Sequence, residues 1–153
     1  IVTALALRDA AGVQPRFLLL IYPSTEIRSD RPSRTRFDEG YFLDRGTLEW
    51  FFVRYLPNGE TDDWRASPMR ATSLAGLPPM LLVGAEFDPL IDDCAAFAAR
   101  VRAEGGDIEF EKVAGVIHGF FTLGKYFPEA RAGVLRAGRA LREHLAVRAD
   151  PAA

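Results

Sequence analysis

Two side chains in this sequence have the chemistry of a catalytic pair, and each is placed near the end of a predicted strand. Asp88 ends an apolar run that starts at Met80, and His118 lies in a short loop after residues 108–113. If both runs are strands of one parallel sheet, both side chains project from its carboxyl edge, where α/β proteins place their ligands. There the carboxylate would orient the imidazole, and the imidazole would take a proton from a nucleophile. The spacing therefore predicts the acid and histidine of a nucleophile–His–acid triad.

Each of these residues also has a structural interpretation. Asp88 precedes Pro89, and this pair is suited to start a helix, because the carboxylate accepts from free N–H groups and proline tolerates the first helical position. His118 considered alone could be a loop histidine with a structural hydrogen bond. The agreement of two separate strand ends favours the catalytic interpretation. Gly119, beside His118, would permit the close approach of another backbone.

Three segments have the pattern of β-strands. The continuous apolar runs at residues 17–22 and from Met80 onwards are typical of parallel strands covered on both faces. Residues 108–113 alternate between polar and apolar, which indicates a strand with one wet face near a sheet edge, followed by a loop at 114–121. The apolar strand at 17–22 would make an aggregation-prone edge, so we expect further strands to lie against it.

Three other segments have helical periodicity, and they define the fold class. Residues 1–11 look like the tail of a helix that begins upstream, and residues 128–147 predict the last helix, before a frayed end at 150–153. A third helix follows Asp88 and ends at Gly105. The inward positions are predicted to be Ile91, Cys94, Ala95, Ala98 and Val101 in that third helix, and Ala130, Val134, Leu141 and Leu145 in the last one. This order of elements predicts an α/β fold with a parallel sheet and flanking crossover helices.

Residues 24–75 differ in composition from the rest of the chain, because polar turn residues surround a dense aromatic patch. Leu48, Phe51, Phe52 and Tyr55 share one face of a helix that Thr47 could cap. We interpret residues 24–75 as a partly helical cap inserted into a body made of residues 1–23 and 76–153. The aromatic residues either pack this cap onto the body or line an apolar substrate pocket, and both can hold.

Composition excludes several classes of protein. The net charge of −2 gives no basic surface for nucleic acid, and no apolar run approaches the length of a membrane span. The single cysteine, Cys94, excludes an internal disulfide and fits a reducing compartment such as the cytoplasm. No cluster has metal-ligand spacing, and no glycine-rich loop resembles a phosphate site, so we expect no metal and no cofactor. The acidic pairs at 62–63 and 92–93 are expected to be solvated helix starts.

Several motifs in consistent order run over nearly the whole chain. They are Leu19-Leu20-Ile21-Tyr22-Pro23, Glu39-Gly40-Tyr41-Phe42-Leu43, Ala66-Ser67-Pro68, Leu77-Pro78-Pro79, Glu86-Phe87-Asp88-Pro89-Leu90-Ile91-Asp92-Asp93 and His118-Gly119-Phe120. Together they resemble the C-terminal half of the hormone-sensitive-lipase-like branch of the α/β-hydrolases. The resemblance implies an esterase of small apolar substrates in which Asp88 and His118 complete the triad. Ser67 sits where that family re-enters the body from the cap, and it is not expected to be catalytic.

The family's nucleophile and oxyanion loop are missing from these residues. The family places its serine in a GxSxG elbow and its oxyanion hole in an HGGG-type loop, and neither motif occurs here. The segment at Ile1 resembles the helix just downstream of that elbow. We therefore expect the chain to be a piece of a longer protein, paired with the missing N-terminal half of the fold, and inactive by itself.

Other functions and other candidate residues remain open from the sequence. A non-catalytic relative could use the same sheet and cap to bind an apolar ligand or a partner, and a truncated product could have a structural role only. Cys94 lies on the inward face of its helix and is expected to be a structural thiol rather than a nucleophile. His144 is expected to be a solvated residue near a helix C-terminus.

Overall fold

The computed structural model describes residues 1–146 as three parallel strands with helices around them. The strands are β1 (Leu18–Ile21), β2 (Met80–Phe87) and β3 (Ile108–Ile117), and β2 lies between the other two. Leu18 is opposite Met80, which is opposite Ile108, so the three strands start level. The predicted α/β class and parallel sheet are confirmed. The predicted helix end at residue 147 and the frayed end at 150–153 lie outside the described residues.

Five α-helices and two short 3-10 turns connect and flank the strands. The helices are α1 (Val2–Asp9), α2 (Ser33–Arg36), α3 (Arg45–Tyr55), α4 (Ile91–Ala103) and α5 (Pro128–Leu145), and the turns are Pro68–Arg70 and Phe120–Thr122. In residues 1–146, none of the helices combines the length and the apolar character needed to cross a bilayer.

The central strand β2 is apolar from Met80 to Ala85 because both of its faces are covered there. Leu82 faces a cluster that includes Leu5 of α1 and Phe97 of α4. Val83 faces the opposite cluster, which includes Phe120 of the 3-10 turn and Ala130 of α5. Residues 80–85 of β2 are all buried. This burial explains the continuous apolar run that identified the strand in the sequence.

Gly84 allows α4 to begin close to the carboxyl end of β2. A Cβ on Gly84 would lie 2.5 Å from Cδ1 of Ile91, the first residue of α4, and 3.3 Å from the Phe110 ring. The first of these separations is closer than real Cβ contacts, so the end of the Ile91 side chain would have to shift if a larger residue stood here. The glycine thus leaves room for the Ile91 side chain beside β2.

Both faces of β1 contact the core, as predicted: Leu18 and Leu20 pack against one cluster and Leu19 packs against the other. All four residues of the strand are nevertheless only partly buried. Within residues 1–146 the strand pairs with β2 on one side and with no strand on its other side. The apolar run was correctly identified as a strand, but its burial depends on neighbours that residues 1–146 do not supply.

The inward faces of α4 and α5 differ from the predicted ones at several positions. In α4, Ala95 is exposed, whereas Phe97 is fully buried. In α5, Val134 and Leu145 are about half exposed, and Gly133 is buried instead. A Cβ on Gly133 would lie 3.0 Å from the Phe121 ring, so a small residue lets α5 lie against this aromatic side chain. Close packing, rather than hydrophobicity alone, chose the buried face.

The predicted cap segment, residues 24–75, contains helices and turns but no strand. Its helix α3 is capped by Asp44 rather than by Thr47: Oδ1 of Asp44 accepts a hydrogen bond from the Thr47 backbone N–H at 2.6 Å. Of the predicted apolar face, Phe52 is buried while Phe51 is half exposed. Four buried residues of this segment, Ile27, Leu43, Leu48 and Phe52, pack with Leu90, which follows β2. The division of the chain at residues 24 and 75 stays a prediction.

Strand β3 is longer than predicted, and an irregularity in its pairing sets the position of His118. Residues 114–117, predicted as loop, continue the strand. Ala85 is opposite Val113, but Phe87 is opposite Ile117, so β3 carries extra residues over this stretch. Gly115 takes a positive φ of 74° there. This bulge brings the end of β3 level with the end of β2.

Candidate active site

Asp88 and His118 are hydrogen-bonded to each other at the carboxyl edge of the sheet. Each is the first residue after its strand, and the two strands are parallel neighbours. The distance from Oδ2 of Asp88 to Nδ1 of His118 is 2.7 Å. The Asp88 residue is 1% exposed, and the His118 side chain is 22% exposed. The meeting of these two side chains, predicted from the strand ends, is observed.

The second carboxylate oxygen of Asp88 is held by the chain that follows it. Oδ1 accepts a hydrogen bond from the Leu90 backbone N–H at 2.8 Å, which closes a tight turn of the kind that aspartate side chains favour. Helix α4 starts only at Ile91, with Leu90 at its N-cap position. The alternative that Asp88 is a helix N-cap is therefore wrong. Both oxygens of this buried carboxylate are satisfied, and one of them is directed at His118.

The bond to Asp88 assigns the protonation pattern of the His118 ring. A carboxylate accepts, so Nδ1 of the ring carries the hydrogen and donates it. In the neutral imidazole Nε2 is then an acceptor. Among residues 1–146, no group forms a hydrogen bond with Nε2. A partly exposed ring with a free, basic Nε2 can accept a proton from a nucleophile placed beside it.

Tyr22 belongs to one of the motifs in the sequence but was given no functional role there. Its ring packs against the His118 imidazole. The ring centroids are 4.5 Å apart, with an angle of 58° between the planes. Tyr22 directly follows β1, and its backbone N–H donates to the Val83 carbonyl at 2.6 Å. Its positive φ of 36° is unusual for a residue with a side chain. Burial raises the pKa of the Tyr22 hydroxyl, and the nearby Asp88 carboxylate adds to this effect.

The loop after His118 turns at Gly119 and contacts the predicted cap segment. Gly119 has a φ of 80°, a conformation that glycine adopts without steric cost. A Cβ at this position would lie 3.4 Å from the Phe42 ring. Among the described residues, the neighbour at this position is thus an aromatic side chain rather than another backbone. Phe42 itself has a positive φ of 72° and is largely exposed.

Cys94 and Ser67 are enclosed by the structure and are not available as nucleophiles in it. Cys94 is fully buried, with Sγ 3.5 Å from the Pro23 carbonyl oxygen. Burial, assisted by the carboxylates of Asp88 and Asp93, raises the pKa of its thiol, so the thiol stays protonated. Ser67 is fully buried, donates to the Thr61 carbonyl at 2.7 Å and accepts from a backbone N–H.

Asp93 contradicts the prediction of a solvated acidic pair at 92–93. Its side chain is fully buried and forms ion pairs with Arg34 and Arg31 of the predicted cap segment. Desolvation raises the pKa of Asp93, and the Arg34 guanidinium opposes that rise. The pattern of the sequence around Asp93 could not reveal this, because its cationic partners lie about sixty positions earlier in the chain.

His144 is exposed as predicted, but it is not simply solvated. Its ring stacks on Phe17 with centroids 4.2 Å apart, and Nδ1 donates to the Ala140 carbonyl at 2.9 Å. In residues 1–146, His, Cys, Asp and Glu side chains form no group of three that could hold a metal ion.

An apolar cavity lies between α1, the end of β1 and the predicted cap segment. Its volume is about 530 Å³. Among the residues that line it are Leu20, Pro23, Phe51, Phe52 and Tyr55. Aromatic residues of α3 thus line an apolar cavity, and its use as a substrate pocket stays a prediction. Neither Asp88 nor His118 is among the lining residues.

Comparison with known proteins places this geometry in a family. A family model described as alpha/beta hydrolase fold matches residues 1–122. The ethyl acetate hydrolase of Pseudomonas putida is 35% identical over 133 residues, which are 86% of this chain and 42% of that protein. The carboxylic ester hydrolase LipN of Mycobacterium tuberculosis is 34% identical over 140 residues, 90% of this chain and 37% of that protein.

Solved structures agree with the sequence relatives. A thermostable esterase from Pseudomonas putida superimposes with a TM-score of 0.91 at 34% identity, over 96% of this chain and 48% of that one. An α/β-hydrolase enzyme from the metagenome of Lake Arreo in Spain gives 0.90 at 35% identity, over 95% of this chain and 46% of that one. The chain spans less than half the length of each of these four proteins. From its motifs, fold and relatives, the chain belongs to the hormone-sensitive-lipase-like branch of the α/β-hydrolase family.

Proposed function

We propose that this chain supplies the acid and the general base of a serine carboxylic ester hydrolase, with Asp88 as the acid and His118 as the base. The observation that carries the proposal is the 2.7 Å hydrogen bond between Oδ2 of Asp88 and Nδ1 of His118. The relatives named as ester hydrolases support the reaction class.

In this mechanism the two residues act as one unit. Asp88 holds the His118 ring in the tautomer that leaves Nε2 unprotonated and stabilises the imidazolium that forms. Nε2 takes the serine hydroxyl proton as the serine oxygen attacks the ester carbonyl. The imidazolium then gives this proton to the departing alcohol as the ester C–O bond breaks. In the second half, Nε2 takes a proton from the water that attacks the acyl-serine, and it returns the proton to the serine.

The nucleophile must come from outside these residues. All five serines precede Asp88, and none lies in a GxSxG sequence. Ser33 and Ser67 are fully buried, and both are engaged in hydrogen bonds with the backbone. We therefore infer that the serine and the oxyanion loop are supplied by polypeptide outside these residues. By itself the chain should not turn over an ester.

The cavity beneath α3 indicates the kind of substrate. Its lining is mostly apolar, with aromatic side chains from the predicted cap segment on one side. A cavity of this size suits an acyl or alkyl group of modest length, which would be held by burial of apolar surface. We infer that the substrates are small apolar esters.

The test uses the intact protein that carries these residues, with His118→Ala and Asp88→Asn as the variants. Each should lower the turnover of p-nitrophenyl esters by about a thousandfold or more, because the general base or its orientation is lost. Thermal melting should remain close to that of the parent.

His144→Ala is the matched control, because it removes the chain's other histidine from an exposed position. It should keep the parent's rate. A near-normal rate in either His118→Ala or Asp88→Asn would refute the assignment.

A further inference from the structure

Ser33, in the predicted cap segment, is buried directly against the turn that follows Asp88. Its Oγ donates to the Pro89 carbonyl at 2.8 Å and accepts from the Asp92 backbone N–H at 3.2 Å. Its own backbone N–H donates to Oδ2 of Asp92 at 2.8 Å. Ser33 is fully buried and so is its bond to the Pro89 carbonyl, whereas its two bonds to Asp92 are partly buried. One serine thus holds both ends of the turn from Pro89 to Asp92.

Ion pairs beside Ser33 also join the predicted cap segment to the start of α4. The neighbouring Arg34 donates from Nε to the buried Asp93 carboxylate at 3.0 Å. Arg31 lies 3.2 Å from the other oxygen of that carboxylate, and Ser29 donates to it as well. The Thr25 hydroxyl donates to the Asp93 backbone carbonyl at 3.3 Å. A buried ion network of this kind adds little net stability but fixes relative geometry, because any displacement leaves a buried charge unpaired.

The turn that Ser33 holds also determines where the Asp88 carboxylate points. The Leu90 N–H, in the middle of this turn, donates to Oδ1 of Asp88 at 2.8 Å. Oδ2 of the same carboxylate receives the His118 ring. If the turn moved, the Leu90 N–H would move with it, and the carboxylate would rotate away from Nδ1. Ser33 therefore bonds to the Pro89 carbonyl, which belongs to the same peptide group as the Leu90 N–H that orients Asp88.

We propose that Ser33 is a positioning residue of the proposed esterase: it acts through Asp88 by holding the Pro89–Asp92 turn, and thereby couples the cap segment to the Asp88–His118 pair. This inference rests on the proposed function, because it needs Asp88 to orient a catalytic base. A simple anchoring role for Ser33 would instead affect the stability of the protein and leave the behaviour of His118 unchanged.

The test is Ser33→Ala in the intact protein, measured as kcat, KM and their dependence on pH. We expect kcat to fall by about tenfold with KM nearly unchanged, because a small misplacement of a catalytic group is costly to the rate. The acidic limb of the kcat profile should move to lower pH, since a less well placed carboxylate stabilises the His118 imidazolium less. Ser33→Cys is the second variant, should Ser33→Ala fail to fold.

Ser73→Ala is the matched control, because Ser73 also bridges two segments. Its Oγ donates to Oε2 of Glu104 at 2.7 Å, and it has no bond to the turn after Asp88. This variant should lose some stability but keep both kcat and the acidic limb. An unchanged acidic limb in Ser33→Ala would overturn the inference and leave Ser33 as an anchor only.

A double variant separates this inference from the proposed function. If Ser33 acts through Asp88, adding Ser33→Ala to Asp88→Asn should cause no further loss of kcat. An independent, multiplying loss would overturn the inference. A near-normal rate for Asp88→Asn alone would instead refute the proposed function, whereas a slow Asp88→Asn with a normal Ser33→Ala would refute only the role of Ser33.

Discussion

Tyr22, Asp88 and His118 each come directly after one of three adjacent parallel strands, so the same sheet edge presents all three. The Tyr22 ring covers part of the imidazole surface at a centroid distance of 4.5 Å. Its hydroxyl has no hydrogen-bond partner among residues 1–146, so the aromatic ring supplies the contact. Tyr22 accordingly restricts the tilt of the His118 ring, while Asp88 fixes the direction of Nδ1.

This contact predicts a difference between two replacements of Tyr22 in the intact protein. Tyr22→Phe keeps the ring and should retain kcat within about twofold, whereas Tyr22→Leu loses the flat surface and should lower kcat by about tenfold. The measurement is steady-state ester hydrolysis by both variants. Tyr126→Leu, at an exposed tyrosine that contacts Lys125, is the control. Equal rates for Tyr22→Phe and Tyr22→Leu would show that the ring does not position His118.

Sequence reasoning found Asp88 and His118 because both are polar residues at strand ends, and the order of strands is visible in the chain. It missed Tyr22, although that residue has the same placement after β1, because an aromatic residue after an apolar run does not stand out. It misjudged Asp93 because the burial of a carboxylate depends on the distant Arg34. Local patterns locate strand ends, but they do not reveal which charges are paired across the fold.

At the scale of elements, Glu104 joins the end of α4 to the stretch that leads into β2. Its Oε2 accepts from the Ser73 hydroxyl at 2.7 Å and from two backbone N–H groups, of Leu74 and Ala75. Its other oxygen pairs with Arg100 at 2.7 Å. The Ser73 and Leu74 hydrogen bonds, assisted by Arg100, lower the pKa of Glu104 to about 2. The charged form of this side chain therefore stabilises the folded chain.

Glu104→Gln should destabilise the protein in a pH-dependent way. The pKa of Glu104 is lower in the folded state than in the unfolded state, so its contribution to stability is complete above about pH 4.5 and is lost as pH falls towards 2. The gap in melting temperature between parent and variant should be largest near pH 7 and should narrow below pH 4.5. Glu143→Gln, at an exposed glutamate of α5, should show no such gap. A gap that stays constant between pH 7 and pH 3 would contradict this role.

Sequence patterns located the strands and helices, but they predicted less well which helix positions are buried and where each strand ends. The apolar runs identified β1 and β2, and Gly105, with a φ of 79°, marks the end of α4 as predicted. The predicted inward face of α5 is right at Ala130 and wrong at Val134 and Leu145, because the small residues Gly133 and Ala137, which carry little hydrophobic signal, are buried instead. The glycine within residues 114–117 predicts a break in the strand, whereas Gly115 is part of the bulge that extends β3.

At the scale of the whole molecule, the sheet described in residues 1–146 leaves one edge of the apolar strand β1 unpaired. β1 pairs only with β2, and all four of its residues are partly buried. The relatives are more than twice as long as the matched region, with 42% of the ethyl acetate hydrolase covered. We expect the exposed edge of β1 to pair with the strand that carries the serine elbow of the proposed hydrolase. That strand would bring the nucleophile to the same edge as His118.

The fold class could be predicted because the order of strands and helices permits few arrangements, and a parallel sheet with crossover helices is the simplest of them. The extent of the cap segment could not be fixed from the sequence in the same way. Ser33 and Arg34 of this segment bind the body through a hydrogen bond and an ion pair. Contacts between residues so far apart in the chain are not visible in the local periodicity of the sequence. The partial burial of β1 likewise could not be read from its continuous apolar run.

The most direct test of the central claim, that Asp88 and His118 act as one unit, is the esterase rate of the double variant Asp88→Asn/His118→Ala in the intact protein. If Asp88 works only through His118, the double variant should be as slow as His118→Ala alone, within about threefold. If the two single losses multiply in the double variant, the residues act independently, and the account of this site is wrong.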